Sequence, residues 1–174
     1  MFEKILVPVD GSQASMNAVD LASDLAQKFN SEIILLHVLL RGHMPEGLRR
    51  AIEVEVGGSP SGELPSHLVN LPQEIMARVG DKRLTQLSVK ELEFIGKHLL
   101  SKAMQACRDK GLGKVSERVE EGYAADVILE IAKHSKADMI VIGSRGLGRL
   151  GDLLLGSVSN KVLHLATCPC TVVK

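Results

Sequence analysis

The stretch Asp138 to Gly146, DMIVIGSRG, decides how the rest of the chain is read. Met139 to Ile142 form a short apolar run that fits a strand buried on both faces and ending at Gly143. Further glycines follow, among them Gly146, Gly148 and Gly156, and then SVSNKVLHLA, where Val158, Val162 and Leu165 recur at helical spacing. A strand, a glycine-rich loop and a helix start in this order leave free backbone N–H groups able to receive an anion.

Outward from that stretch, strand and helix signals alternate. KILVPVD (Lys4 to Asp10) predicts a buried strand stopped by DGSQAS. Ala18, Ala22, Leu25 and Phe29 mark one face of a helix from about Ser15 to Phe29, closed by Asn30. EIILLHVLL (Glu32 to Leu40) predicts a second strand covered on both sides. A helix over Thr85 to Asp109 carries the stripe Leu92, Ile95, Leu99 and Ala103 and stops at DKGLG. KVSERVEEG suits an edge strand because of its charges. AADVILEIAKHSK predicts a helix with Val127, Ile128 and Ile131 inward, and PCTVVK a last short strand. This order specifies an α/β sandwich whose sheet is mainly parallel. The interval Arg41 to Leu84, with GGSPSGELP between two short helical segments, is an irregular, partly helical insertion in a single domain spanning 1–174.

Composition narrows the function classes. A chain of 174 residues with 45% hydrophobic residues can bury one core. Lys plus Arg and Asp plus Glu both total 21, which gives no reason to expect a nucleic-acid or membrane surface. One Tyr, three Phe and no Trp leave no stacking platform for single-stranded nucleic acid. No apolar run nears the about 18 residues of a spanning helix, and the chain opens on no signal-like segment. Three cysteines form no paired framework, and the expectation is a soluble cytoplasmic protein.

Gly143-Ser-Arg-Gly146, nine residues, then Gly156-Ser157 resembles the nucleotide-binding pattern of the universal stress protein (UspA) family. KILVPVDGS, the HV at His37 and Val38, DVILEIAKHSKADMIVIGSRG and LLLGSVSNKVLHLATCPCTVV are also similar to that family. The resemblance implies a three-layer sandwich around a mainly parallel five-stranded sheet, adenine nucleotide alpha hydrolase-like. It further implies ATP binding, with Mg2+ or Mn2+ held through the phosphates, and a homodimer joined through the last strand, near Cys170 to Val173.

By the same resemblance, Pro8, Val9 and Asp10 lie at the adenosine end and Val38 near adenine. Asp10 suits ribose or a metal-phosphate complex, but equally an Asx turn into the following helix. Ile142, Gly143, Gly146, Gly148 and Gly156 form the phosphate loop, in which glycines permit tight turns and leave no side chain between backbone and ligand. The Ser157 and Ser159 hydroxyls can donate to phosphate beside Val158, or serve as helix caps. Arg145 and Arg149 offer counter-charge, or are solvated loop residues. No Lys-Ser or Lys-Thr follows the glycines, so the segment is not a P-loop.

Other chemistry lacks a pattern. The six histidines are scattered, and Cys168 and Cys170 form CPC without a matching ligand set, so zinc is not expected. Cys107, Cys168 and Cys170 read as inert packing thiols. No nucleophile-base arrangement stands out. The function expected is a homodimeric, ATP-binding stress-response switch with weak hydrolysis at most. A nucleotide-independent dimeric interaction module and a slow ATP hydrolase are the alternatives.

Overall fold

A computed structural model describes residues 2–39, 89–146 and 155–174. The interval 41–84 and the site candidates Gly148 and Arg149 lie outside the described residues. The elements run β1 (Lys4–Pro8), α1 (Gln13–Phe29), β2 (Glu32–Leu39), α2 (Val89–Asp109), β3 (Val115–Glu121), α3 (Ala124–Ser135), β4 (Met139–Gly143), α4 (Ser157–Leu165) and β5 (Cys170–Val173). The strands form one five-stranded sheet in the order β3-β2-β1-β4-β5, every pair parallel. The α/β sandwich expected from the alternation is therefore what forms.

The continuous apolar runs have the cause anticipated for them. Ile5, Leu6 and Val7 are fully buried because successive side chains enter opposite layers. Ile5, Val7 and Val9 pack with Ala18, Val19 and Ala22 of α1 and Leu100 and Ala103 of α2. Leu6, Ile140 and Ile142 pack on the other face with Ile128 of α3 and Val162 of α4. The charged strand β3 takes one edge of the sheet, exposing Glu117 and Arg118.

Two helix faces differ from the expected stripes. α1 begins at Gln13 rather than Ser15, because Ser12 caps it, its Oγ accepting from the Ser15 N–H at 3.2 Å. It ends at Asn30, φ 57°, in the left-handed conformation. Phe29 is not in the core but 42% exposed, meeting Phe2 edge-on at 5.7 Å. Leu165 is 57% exposed, because α4 rests on α3 and the edge strand β5, which cover one side of it and leave Val162 as its buried apolar contact.

Asp138 ties β4 to β1 at the amino end of the sheet. Its Oδ2 accepts the backbone N–H of Lys4 at 2.9 Å and of Glu3 at 2.8 Å. These two bonds, Lys4 foremost, hold its carboxyl below the ordinary carboxylate range.

Candidate functional site

The strand order decides where a site can form. From the central strand β1 the chain proceeds through α1 to β2 on one side, and from β4 it proceeds through α4 to β5 on the other. The connections diverge at the β1–β4 junction, opening a crevice outside the carboxyl ends of the strands. Asp10 and the loop from Gly143 to Gly146 stand at the two lips of that junction.

Asp10 is held by the residues that start α1. Its Oδ1 accepts from Ser12 N at 3.0 Å and from Ser12 Oγ at 2.6 Å, an Asx turn. The other oxygen, Oδ2, faces the backbone of Gly146, where a β-carbon would fall far inside van der Waals contact. The turn therefore uses one oxygen of the carboxylate and leaves the other directed at the loop. Gly146 supplies clearance for that carboxylate; among the described glycines the left-handed backbone occurs instead at Gly11 (φ 86°), Gly111 and Gly122. Ser12 Oγ also reaches the Arg145 carbonyl at 3.1 Å, which pins the loop to α1, while the Arg145 side chain is exposed.

Gly143 likewise serves close approach. A β-carbon there would lie 2.8 Å from Ala14 C and from Ser15 N, so the first turn of α1 packs directly on the end of β4. Buried Ser144 joins the next elements: its N–H donates to Val173 O at 2.5 Å, and its carbonyl accepts from Gly156 N at 2.7 Å and Ser159 Oγ at 2.8 Å. The Ser159 hydroxyl is thus engaged with backbone, reaching Gly156 O as well at 3.0 Å. Ser157 is exposed beside partly buried Val158.

Gly156 is different. It caps α4 with φ −72° and ψ 161°, a conformation open to any residue, and contributes no side-chain cap. A β-carbon there would sit 3.5 Å from Ser144 O and 3.6 Å from Arg145 Cα, ordinary contacts. Neither backbone strain nor packing among the described residues requires glycine. The residue types that cap helices best are absent from the position, and helix geometry leaves the N–H groups of Ser157, Val158 and Ser159 without intrahelical acceptors.

The apolar candidates divide between the two faces of the sheet. Val38, Ile142 and Val158 belong to the α3/α4 layer, whereas Val9 is buried toward α1 and α2. The structure therefore brings Val38 to the α4 side of the crevice and turns the Val9 side chain, which follows Pro8 at the end of β1, to the opposite face. His37, quoted with Val38 in the HV pair but given no site role from sequence, points opposite to Val38 and donates through Nδ1–H to the Val9 carbonyl at 2.7 Å. Its ring lies against Gly96 of α2, where a β-carbon would come 2.5 Å from His37 Cδ2. Burial holds this imidazole below its ordinary pKa, outweighing the opposing pull of the Val9 bond and of Asp10. The legible signal was Gly96 itself, a glycine inside a helix where alanine is favoured by about 1 kcal/mol.

Among the described residues no group of three or more His, Cys, Asp or Glu side chains is placed to hold a metal ion. Cys107 is buried and receives a hydrogen bond from Ser23 Oγ at 3.4 Å; Cys168 and Cys170 are half-buried rather than buried. Burial pushes all three thiols up, toward the unreactive protonated form. Among the described residues no helix is long and apolar enough to cross a membrane.

The chain belongs to the universal stress protein family, whose model matches residues 1–174. It is 32% identical to the universal stress protein YxiE of Bacillus subtilis, over 100% of both chains. It is also 32% identical to a universal stress protein of Methanocaldococcus jannaschii, covering 100% of this chain and 83% of that one. Among solved structures it resembles a universal stress protein in complex with cAMP, 25% identical with a TM-score of 0.59, covering 99% of this chain and 97% of that one.

Proposed function

We propose that this member of the universal stress protein family binds ATP at the β1–β4 crevice and acts as a homodimeric, nucleotide-dependent stress-response switch. The observation that carries the reading is Gly156: a cap position with room for a side chain has none, directly before three helix amides that can turn to an anion. Asp10 Oδ2, the loop at Gly143, Arg145 and Gly146, and the first turn of α4 at Ser157, Val158 and Ser159 supply the polar wall. Val38 and Ile142 supply apolar surface for the base on the α4 side. The cAMP complex of a relative supports an adenine nucleotide as the ligand class. Gly148 and Arg149 extend the phosphate loop in this reading.

Mg2+ or Mn2+ would accompany the phosphates, with Asp10 the side chain suited to that complex through its outward oxygen. Among the described residues no lysine stands at the crevice and no second group stands beside Asp10 to activate water, so turnover stays far below the about 1 to 10³ per second of dedicated enzymes. The outer edge of β5, unpaired among the described residues, supports dimerisation. Pro169 O and Val173 O accept from β4, so by alternation the backbone of Cys170 and Val172 points away from the sheet. The whole chain, 1–174, would act as one cytoplasmic domain. Mass analysis of nucleotide released from gently purified protein, with calorimetric titration of Mg-ATP, tests the reading. Protein that carries none and takes up none would leave a nucleotide-independent interaction module in its place.

A further inference from the structure

We infer that His37 is a positioning residue for this site: its imidazole, seated in the gap that Gly96 leaves in α2, clamps the Val9 carbonyl and thereby aims the Asp10 carboxylate at the phosphate loop. The inference rests on the nucleotide reading above and adds a residue on the opposite face of the sheet from Val38. Val9 is held at both of its backbone polar groups by β2, its N–H donating to Leu36 O at 2.8 Å and its carbonyl accepting from His37 Nδ1 at 2.7 Å. Asp10 follows directly, with Oδ1 occupied by Ser12 and Oδ2 left facing Gly146. The direction of Oδ2 therefore depends on the peptide that His37 fixes.

The cost accepted on α2 argues that the ring's seat is specific. A glycine inside a helix is unfavourable, and here the missing side chain is replaced by the imidazole edge, with Cδ2 and Nε2 at 2.5 and 3.1 Å from the place of a β-carbon. A carbonyl can only accept, so Nδ1 carries the proton and the neutral ring presents its bare Nε2 toward α2. Leucine would fill much of the seat without a donor. Asparagine places an N–H donor the same number of bonds from Cα as Nδ1, yet leaves ring volume empty.

The experiment compares His37→Leu, His37→Asn and the paired His37→Asn with Gly96→Ala, in which the alanine methyl enters the vacated seat. Mg-ATP affinity is read by calorimetry, the Ser12 and Gly146 amide resonances by NMR without ligand, and stability by denaturant titration. His37→Leu should weaken Mg-ATP binding about tenfold, the loss of roughly one hydrogen bond, and displace both resonances. His37→Asn should bind within about threefold of the unaltered protein, with the resonances near their original places, although it is the less stable of the two because of its cavity. The paired variant should recover stability while keeping that affinity. Affinity that simply follows stability, or a leucine variant that binds like the unaltered protein, overturns the positioning role. If the unaltered protein does not bind Mg-ATP, the nucleotide reading falls. The clamp is then judged by the resonances alone, standing if leucine displaces them and asparagine restores them and falling if they do not move.

Discussion

Gly156→Asp should make the protein more stable and a worse nucleotide binder. The backbone already has cap geometry, φ −72° and ψ 161°, and the nearest atoms to a new β-carbon are at 3.5 and 3.6 Å, so the side chain enters without displacement. An aspartate cap gains a few tenths of a kcal/mol over glycine. Removing glycine from the unfolded chain adds about 0.4 to 1 kcal/mol. A negative charge at the α4 amino terminus adds about 0.3 to 1 kcal/mol. Together these predict stabilisation of about 1 to 2 kcal/mol by denaturant titration.

The same carboxylate occupies the amides proposed for phosphate. A hydrogen bond to a charged group is worth about 1.5 to 3 kcal/mol, which corresponds to a loss of roughly 10- to 150-fold in Mg-ATP affinity. Gly156→Ala is the control: it fills the same space without a cap and should change stability by less than about 1 kcal/mol. Opposite signs for stability and affinity distinguish a reserved anion site from a tolerant surface position. A Gly156→Asp protein that is stabilised and still binds Mg-ATP with unaltered affinity would refute the reasoning, because the α4 amides would then not receive phosphate.

Gly143→Ala should cost about 1 to 3 kcal/mol in chemical denaturation, since the methyl meets backbone atoms of Ala14 and Ser15 at 2.8 Å that no side-chain rotation can clear. The Asp138 carboxyl, depressed by its bonds from Lys4 and Glu3, contributes stability that is complete above the ordinary carboxylate range and is lost as pH falls through its lower folded value. Thermal melts at descending pH should show a steeper acid loss in the unaltered protein than in Asp138→Asn. Val172→Pro removes an outward N–H from β5 without touching the bonds that Pro169 O and Val173 O make to β4, and light scattering should show dimer converting to monomer; an unchanged dimer would place the interface elsewhere.

Element order and type were legible in the sequence because each depends on local periodicity. The doubly covered strands at Lys4 to Pro8 and Met139 to Gly143 read as unbroken apolar runs, and β3 betrayed its edge position by its charges. The glycine spacing likewise pointed to the loop between β4 and α4. What each glycine is for was decided only in three dimensions. Gly143 and Gly146, read as turn formers, are clearances for the α1 backbone and the Asp10 carboxylate, contacts made with residues more than a hundred positions away in the chain. Gly156 acquires its meaning from what is missing around it, the absence of any described packing partner that would exclude a side chain. The division of Val9 and Val38 between faces, the exposure of Phe29 and Leu165, and the seat of His37 against Gly96 likewise follow from which helix covers which face. Periodicity along a chain reports that a residue is buried; the partner that buries it is chosen by the folding of the sheet, and chemistry depends on the partner.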